Sequence, residues 1–175
     1  MIPEPPSLLA EVTSDLIENR LRDGASVRFR VATCSMVPTL QPGDEIIVKA
    51  EAIQRVPVGS LVVLRQQNYW VIHRLIHRRR EADGVWQMMT KGDHSLFADP
   101  LWRGEDWVGV AQAAQRDSQW KDFTTFKARW LGGWIAALSW LEAHLSLQTR
   151  RGFGRLARRV LRRMVVWLAE LAYEL

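Results

Sequence analysis

The sequence predicts a mainly β protein: a compact, curved, mostly antiparallel sheet or small barrel, with a short helix before it and a helical hairpin after it. Three observations carry that expectation. Short alternating or β-branched runs recur between residues 27 and 112, each closed by turn residues. Residues 7–22 instead space their apolar groups as a helix does. Beyond residue 120 the composition changes: all seven prolines lie at or before Pro100, and residues 127–175 hold nine Lys/Arg against three Asp/Glu.

Taken in order, Leu8, Leu9, Val12, Leu16 and Leu21 form the apolar side of an N-terminal amphipathic helix within residues 1–24. Val27, Phe29 and Val31 alternate as in a half-buried strand. Glu45-Ile46-Ile47-Val48 and Leu61-Val62-Val63-Leu64 read as short strands, Tyr69 to His77 alternates again, and Val85 to Met89 and Val108 to Val110 follow. Pro42-Gly43, Pro57 with Gly59, Gln66-Gln67-Asn68, Asp83-Gly84 and Gly92-Asp93 are the turns between them. Several short strands at this spacing suit a small β domain over residues 25–120. From 121 to 175 the period returns to that of helices. Trp130, Trp134, Leu138, Leu141 and Leu145 make one stripe. Gln148 to Gly152 reads as a turn, and a second helix sets Leu156, Val160, Met164, Trp167, Leu168 and Leu171 against Arg155, Arg158, Arg159, Arg162 and Arg163.

Charge divides the same way. Residues 1–126 carry a net of −1 and residues 127–175 a net of +6, within a chain total of +5. The longest uncharged stretch near the C-terminus, Trp130 to Leu141, is far short of the roughly 20 residues a membrane span needs. A basic amphipathic hairpin resting on an anionic membrane surface fits better. The N-terminus has neither a basic nor an apolar segment of the secretory kind. The expected location is cytoplasmic or peripherally membrane-associated, with no cleavable signal peptide and no clear transmembrane helix. The one cysteine, Cys34, cannot form an intrachain disulfide.

The chemistry concentrates in a few short segments. Ser35-Met36-Val37-Pro38-Thr39-Leu40 leads into Gly43-Asp44, so Ser35 leaves a strand and enters a proline-fixed turn that exposes its hydroxyl. A serine hydroxyl is a poor nucleophile until a base takes its proton. His73 is the fitting base. It lies in Val71-Ile72-His73-Arg74-Leu75 and shares a strand face with Tyr69, Val71, Leu75 and His77, and imidazole is suited to accept a proton near neutral pH.

These segments resemble the type I signal peptidases and their relatives, the self-cleaving repressor peptidases. The run S-M-x-P-T-L-x-x-G-D resembles the nucleophile box. Ile72-His73-Arg74-Leu75 resembles the I-H-R-V motif of the endoplasmic-reticulum and archaeal branch, which has histidine where the common bacterial type has lysine. Thr90-Lys91-Gly92-Asp93, followed by Asp99, resembles that branch's K-G-D motif and later aspartate. The resemblance covers residues 31–99. It implies a serine endopeptidase that cleaves an extended leader or signal peptide, with Ser35 as nucleophile, His73 as base and Asp93 orienting His73; Asp99 is a second candidate for that last role. Thr33 would donate its hydroxyl to the oxyanion together with the Ser35 N–H. Met36 and Leu40 read as structural residues, with Met36 and Pro38 also assigned to the lining of the substrate groove. Cys34 stands where the family has glycine, and a positive φ there would cost it sterically.

The residues leave other readings open. Cys34 could be the nucleophile, but a buried inert thiol is the expectation. Lys49 or Lys91 could serve a Ser/Lys scheme, although such lysines are usually solvated, and His77 could stand in for His73. His94 has no second ligand at metal spacing, so neither metal nor cofactor is expected. The alternative function is a non-cleaving peptide-binding module or a self-processing relative of the repressors. The partners expected are a peptide or preprotein and, through the hairpin, a membrane surface. No nucleic-acid partner is expected, because the basic helix carries no recognisable DNA-reading pattern.

Overall fold

A computed structural model describes residues 16–66, 69–148 and 153–174. Eight antiparallel strands form one sheet: β1 (Ser26–Arg30), β2 (Glu45–Lys49), β3 (Leu61–Gln66), β4 (Tyr69–Arg80), β5 (Trp86–Lys91), β6 (Trp102–Arg103), β7 (Trp107–Arg116) and β8 (Gln119–Asp122). The order is β1-β2-β7-β3-β4-β5-β6, with β8 also on β7. Helix α1 covers residues 16–22, and α2 (Phe126–Gln148) and α3 (Phe153–Glu174) make the C-terminal hairpin. The expected curved antiparallel sheet with flanking helices is therefore present, as an open sheet rather than a closed barrel. The strands continue to Asp122, just past the boundary read at residue 120. The expected contributions of Leu8, Leu9 and Val12, the turn at 149–152 and the side chains of Leu145, Arg155, Leu156 and Arg158 lie outside the described residues.

Leu61-Val62-Val63-Leu64 is continuously apolar because both faces of β3 are buried. Leu61 and Val63 pack with Leu21, Val31, Met36, Leu40, Ile46 and Val48 on one side. Val62 and Leu64 pack with Ile53, Val56, Leu75, Met88 and Trp102 on the other. In α1, Leu21 is buried and Ile17 packs on the first cluster, whereas Leu16, read as part of the apolar side, faces outward. Glu18 of α1 accepts from Arg65 of β3 at 2.7 Å.

Register shifts in the β2–β7, β3–β7 and β4–β5 pairs bend the sheet. The last of these lies between Leu75 and His77, so His77 is exposed while His73 is buried. The bend matters most where pairing stops. β4 pairs β3 over Tyr69–Arg74 and β5 over Arg74–Arg80. Its edge opposite β3 is thus unpaired before Arg74, and β1, at the end of the sheet, pairs only with β2. Residues of both strands line one open groove of about 1050 Å³. Phe29 of β1 meets Trp70 of β4 edge-to-face at 4.4 Å between ring centroids, bridging the gap between the two strands.

The hairpin packs on the sheet through a backbone-to-backbone approach. A Cβ at Gly132 would come within 2.7 Å of the Gly59 carbonyl oxygen, and one at Gly59 within 2.4 Å of the Gly132 backbone. Leu131, Ile135, Ala136, Ser139, Glu142 and Ala143 are the other buried positions among the described side chains of α2. Val165 and Ala169 of α3 close on Ile135. The neighbouring glycines allow a sharp test. Gly132→Ala forces a side chain against backbone and is expected to cost about 1–3 kcal/mol in urea unfolding. At Gly133 an added Cβ meets nothing within 4 Å, so Gly133→Ala is expected to be neutral or to stabilise by up to about 1 kcal/mol.

Candidate active site

Ser35 follows β1 at the start of a tight turn in which the Leu40 N–H donates to the Met36 carbonyl at 3.0 Å. Met36 and Leu40, four residues apart, both point inward and are wholly buried. Met36 therefore anchors the turn in the core and does not line the groove as expected. Pro38 is half-buried, outside the groove lining. The groove wall comes instead from Phe29 and Val31 on the β1 side, Tyr69, Trp70 and Ile72 on β4, and Leu101. The alternating apolar pattern of β1 and β4 was legible in the sequence, but not that these two strands would face each other across a gap.

Ser35 Oγ lies 3.0 Å from His73 Nε2, and His73 Nδ1 lies 2.6 Å from Asp99 Oδ2. An Nδ1–H donated to Asp99 leaves Nε2 to accept the serine proton. Asp99 is itself fixed. Its N–H donates to the Thr90 carbonyl at 2.9 Å, and Oδ2 accepts from the Thr90 hydroxyl at 2.5 Å. The Trp102 indole N–H donates to that hydroxyl at 2.8 Å. A chain of polar groups thus runs from a buried tryptophan to the serine, and it can hold one imidazole tautomer in place and stabilise a positive charge on it.

Asp93, expected to orient His73, does something else. Its Oδ1 accepts from Arg74 Nε at 2.8 Å, and its Oδ2 from Arg74 Nη2 at 2.6 Å and from the Thr39 hydroxyl at 2.5 Å. Arg74 Nη1 donates to the Gly59 carbonyl at 2.7 Å. All three side chains are buried. His73 and Arg74, adjacent on β4, point to opposite sides, so the carboxylate that binds Arg74 cannot also be the one that holds His73.

Gly92 fits the site by lacking a side chain. A Cβ there would lie 2.5 Å from the Ser35 carbonyl oxygen and 3.2 Å from His73 Nε2. The His94 N–H donates to that same carbonyl at 2.9 Å, tying the loop after β5 to the serine turn. The Thr33 hydroxyl is 3.4 Å from Ser35 Oγ, on hand for charge that develops beside the serine. Cys34 is exposed, against the expectation of a buried thiol. Its φ is not among the positive ones, which for non-glycine residues occur at Asp117 and Ser118 among the described residues. The glycine slot therefore imposes no left-handed backbone on it.

The lysine alternatives are placed elsewhere. Lys49 is exposed at the end of β2. Lys91 is almost fully buried, with Nζ 3.0 Å from Glu142 Oε2 of α2. The contact is ionic rather than a well-directed hydrogen bond, and neither atom has a hydrogen-bond partner among the described residues. No group of three or more potential metal ligands occurs among the described residues. Neither a scan of protein-family models nor a search of curated proteins finds a match to this chain.

The two aspartates are expected to separate in a folding experiment. Asp93→Ala leaves the Arg74 guanidinium buried without its counter-ion, and should cost about 3–5 kcal/mol in urea denaturation. Asp99→Asn changes a partly exposed group and should leave the unfolding free energy within about 1 kcal/mol of the parent.

Proposed function

We propose that this protein is a serine endopeptidase of the signal-peptidase type, and that it cleaves an extended peptide segment laid along the groove between β1 and β4. The observation that carries this reading is the linear arrangement of Ser35 Oγ, the His73 ring and the Asp99 carboxylate at 3.0 Å and 2.6 Å. It supplies a nucleophile, a base within reach and a group that orients the base.

In the proposed reaction His73 Nε2 takes the Ser35 proton as Oγ attacks the scissile carbonyl carbon. The carbonyl oxygen becomes negative and is held by the Thr33 hydroxyl and the Ser35 N–H. The tetrahedral species collapses, the carbon–nitrogen bond breaks, and the imidazolium gives its proton to the leaving amine. A water then gives one proton to His73 as its hydroxyl adds to the acyl carbon; the carbon–Oγ bond breaks, the imidazolium returns the proton to Oγ, and the product leaves as a carboxylic acid. Asp99 stays ionised throughout and stabilises the imidazolium.

The substrate reading rests on the edges. Backbone N–H and C=O groups along β1 and the start of β4 are open to a strand running between them, and such pairing selects an extended peptide without reading its sequence. The apolar wall of Phe29, Val31, Trp70, Ile72 and Leu101 then favours apolar side chains that point into the groove. Cys34 has no positive φ, so the steric cost expected there, one of the grounds for a non-cleaving relative, does not arise.

Incubation with a complex peptide library, with new termini identified by mass spectrometry, tests the proposal. Cuts should disappear in Ser35→Ala. Thr33→Val should slow them by about 10²–10³ through loss of one oxyanion donor, and Asp99→Asn by roughly 10⁴ through the wrong imidazole tautomer. The parent rate should fall on acidification, because a protonated imidazole cannot accept the serine proton. Cuts that survive in Ser35→Ala, or a full rate in Asp99→Asn, would sink the mechanism.

A further inference from the structure

The outward side of the hairpin has no partner within the described fold. On α2, Trp130 and Trp134 are half-exposed and stack edge-to-face at 6.0 Å, and Leu141 is exposed beyond them. On α3, Val160, Met164 and Trp167 are exposed. These positions form one face. Leu138 and Leu168 sit at the seam where the helices close on each other. Trp134 and Leu141 lie four before and three after Leu138, and Met164 lies four before Leu168, so each flanks the seam on its own helix. A continuous apolar face of this kind on a folded protein marks a contact surface.

Charge identifies the occupant. Lys127 lies three residues before Trp130 and seven before Trp134, on the same side of α2. Arg159 and Arg163 are exposed beside Val160 and Met164. No helix of the described residues is long and apolar enough to cross a membrane. Tryptophans with cations around them suit the boundary between lipid headgroups and acyl chains. A second copy of the chain would instead set Lys127, Arg159 and Arg163 against themselves, with the exposed Glu170 of α3 as a single acid to offset three cations. We propose that this face docks, without spanning, on an anionic lipid bilayer. The surface is separate from the groove, so docking stands or falls independently of the cleavage reading.

The same hairpin is fastened to the site. Lys91–Glu142 ties α2 to β5, and Arg162 of α3 donates to the His94 carbonyl at 3.0 Å, in the loop beside Ser35. A bilayer held by the outer face would therefore fix the distance and orientation of the groove relative to the lipid.

The test uses the full chain with vesicles of phosphatidylcholine alone and of an equimolar mixture with phosphatidylglycerol. Co-sedimentation should occur with the mixed vesicles and not with phosphatidylcholine alone. Brominated acyl chains should quench tryptophan emission in the bound state. The paired variants Trp134→Gln with Met164→Gln, and Arg159→Glu with Arg163→Glu, should each lower partitioning about tenfold or more. Both change exposed positions, and an unchanged thermal midpoint shows that the fold is kept. Absence of binding, or equal binding by parent and variants, overturns the proposal. So does a dimer seen by sedimentation velocity that only the Trp134/Met164 variant abolishes, which would assign the face to a second copy.

Discussion

The arrangement around Ser35 depends on one buried ionic contact, between Arg74 and Asp93. Burying two charges is expensive unless geometry and additional hydrogen bonds compensate, and here they do. The guanidinium faces the carboxylate through two nitrogens, and its remaining reach goes to the Thr39 hydroxyl and the Gly59 carbonyl. Those partners come from the turn that follows Ser35, from the loop before β3, from β4 and from the end of β5. Four separated segments are thereby fixed relative to one another on the side of the sheet away from the serine. His73 is the neighbour of Arg74 on β4, and Gly92 is the neighbour of Asp93. The two residues that must approach Ser35 are placed by the two that hold the clamp.

The segment Thr90 to Asp93 shows how much a short stretch can be asked to satisfy. Thr90 holds Asp99, Lys91 meets α2, Gly92 lets the chain pass against Ser35, and Asp93 binds Arg74. Alternation along an extended chain is what permits four consecutive residues to serve different surroundings. The hairpin is in this sense part of the β unit. Its first helix supplies the anion, Glu142, for a lysine that lies in the core, and Gly132 admits the sheet to within backbone contact.

Much of this was legible before any coordinates. β-branched runs and turn pairs marked the main strands, because burial on one or both faces of a sheet leaves a period or a continuous apolar run that turn residues interrupt. Ser35 and His73 stood out together because the motifs around them, in that order and spacing, resemble those of one peptidase family; a turn serine or an inward-facing imidazole alone would not have stood out. Choosing between Asp93 and Asp99 was not possible from the chain. Both follow the same strand, and only the opposite directions of His73 and Arg74 determine which carboxylate reaches which partner. Met36 and Leu40 were legible as structural residues, and both are wholly buried; the further assignment of Met36 to the groove failed, because the turn points that side chain into the core. The two-residue β6 and the four-residue β8 are too short to carry a period at all. The groove could not be read from the sequence, since it arises from where pairing stops.

The Lys91–Glu142 contact has a consequence for how the protein comes into being. A ribosome delivers Lys91, with the whole of β5, well before it delivers Glu142. Until α2 has emerged, the strand beside Ser35 carries an ammonium group destined for the interior with no anion to meet it, so that strand has reason to stay solvated. The order of synthesis thus withholds the final burial of Lys91 until α2 exists. The packing of β5 beside Ser35 therefore waits on a helix that lies later in the chain, and the strand and the helix reach their final places together.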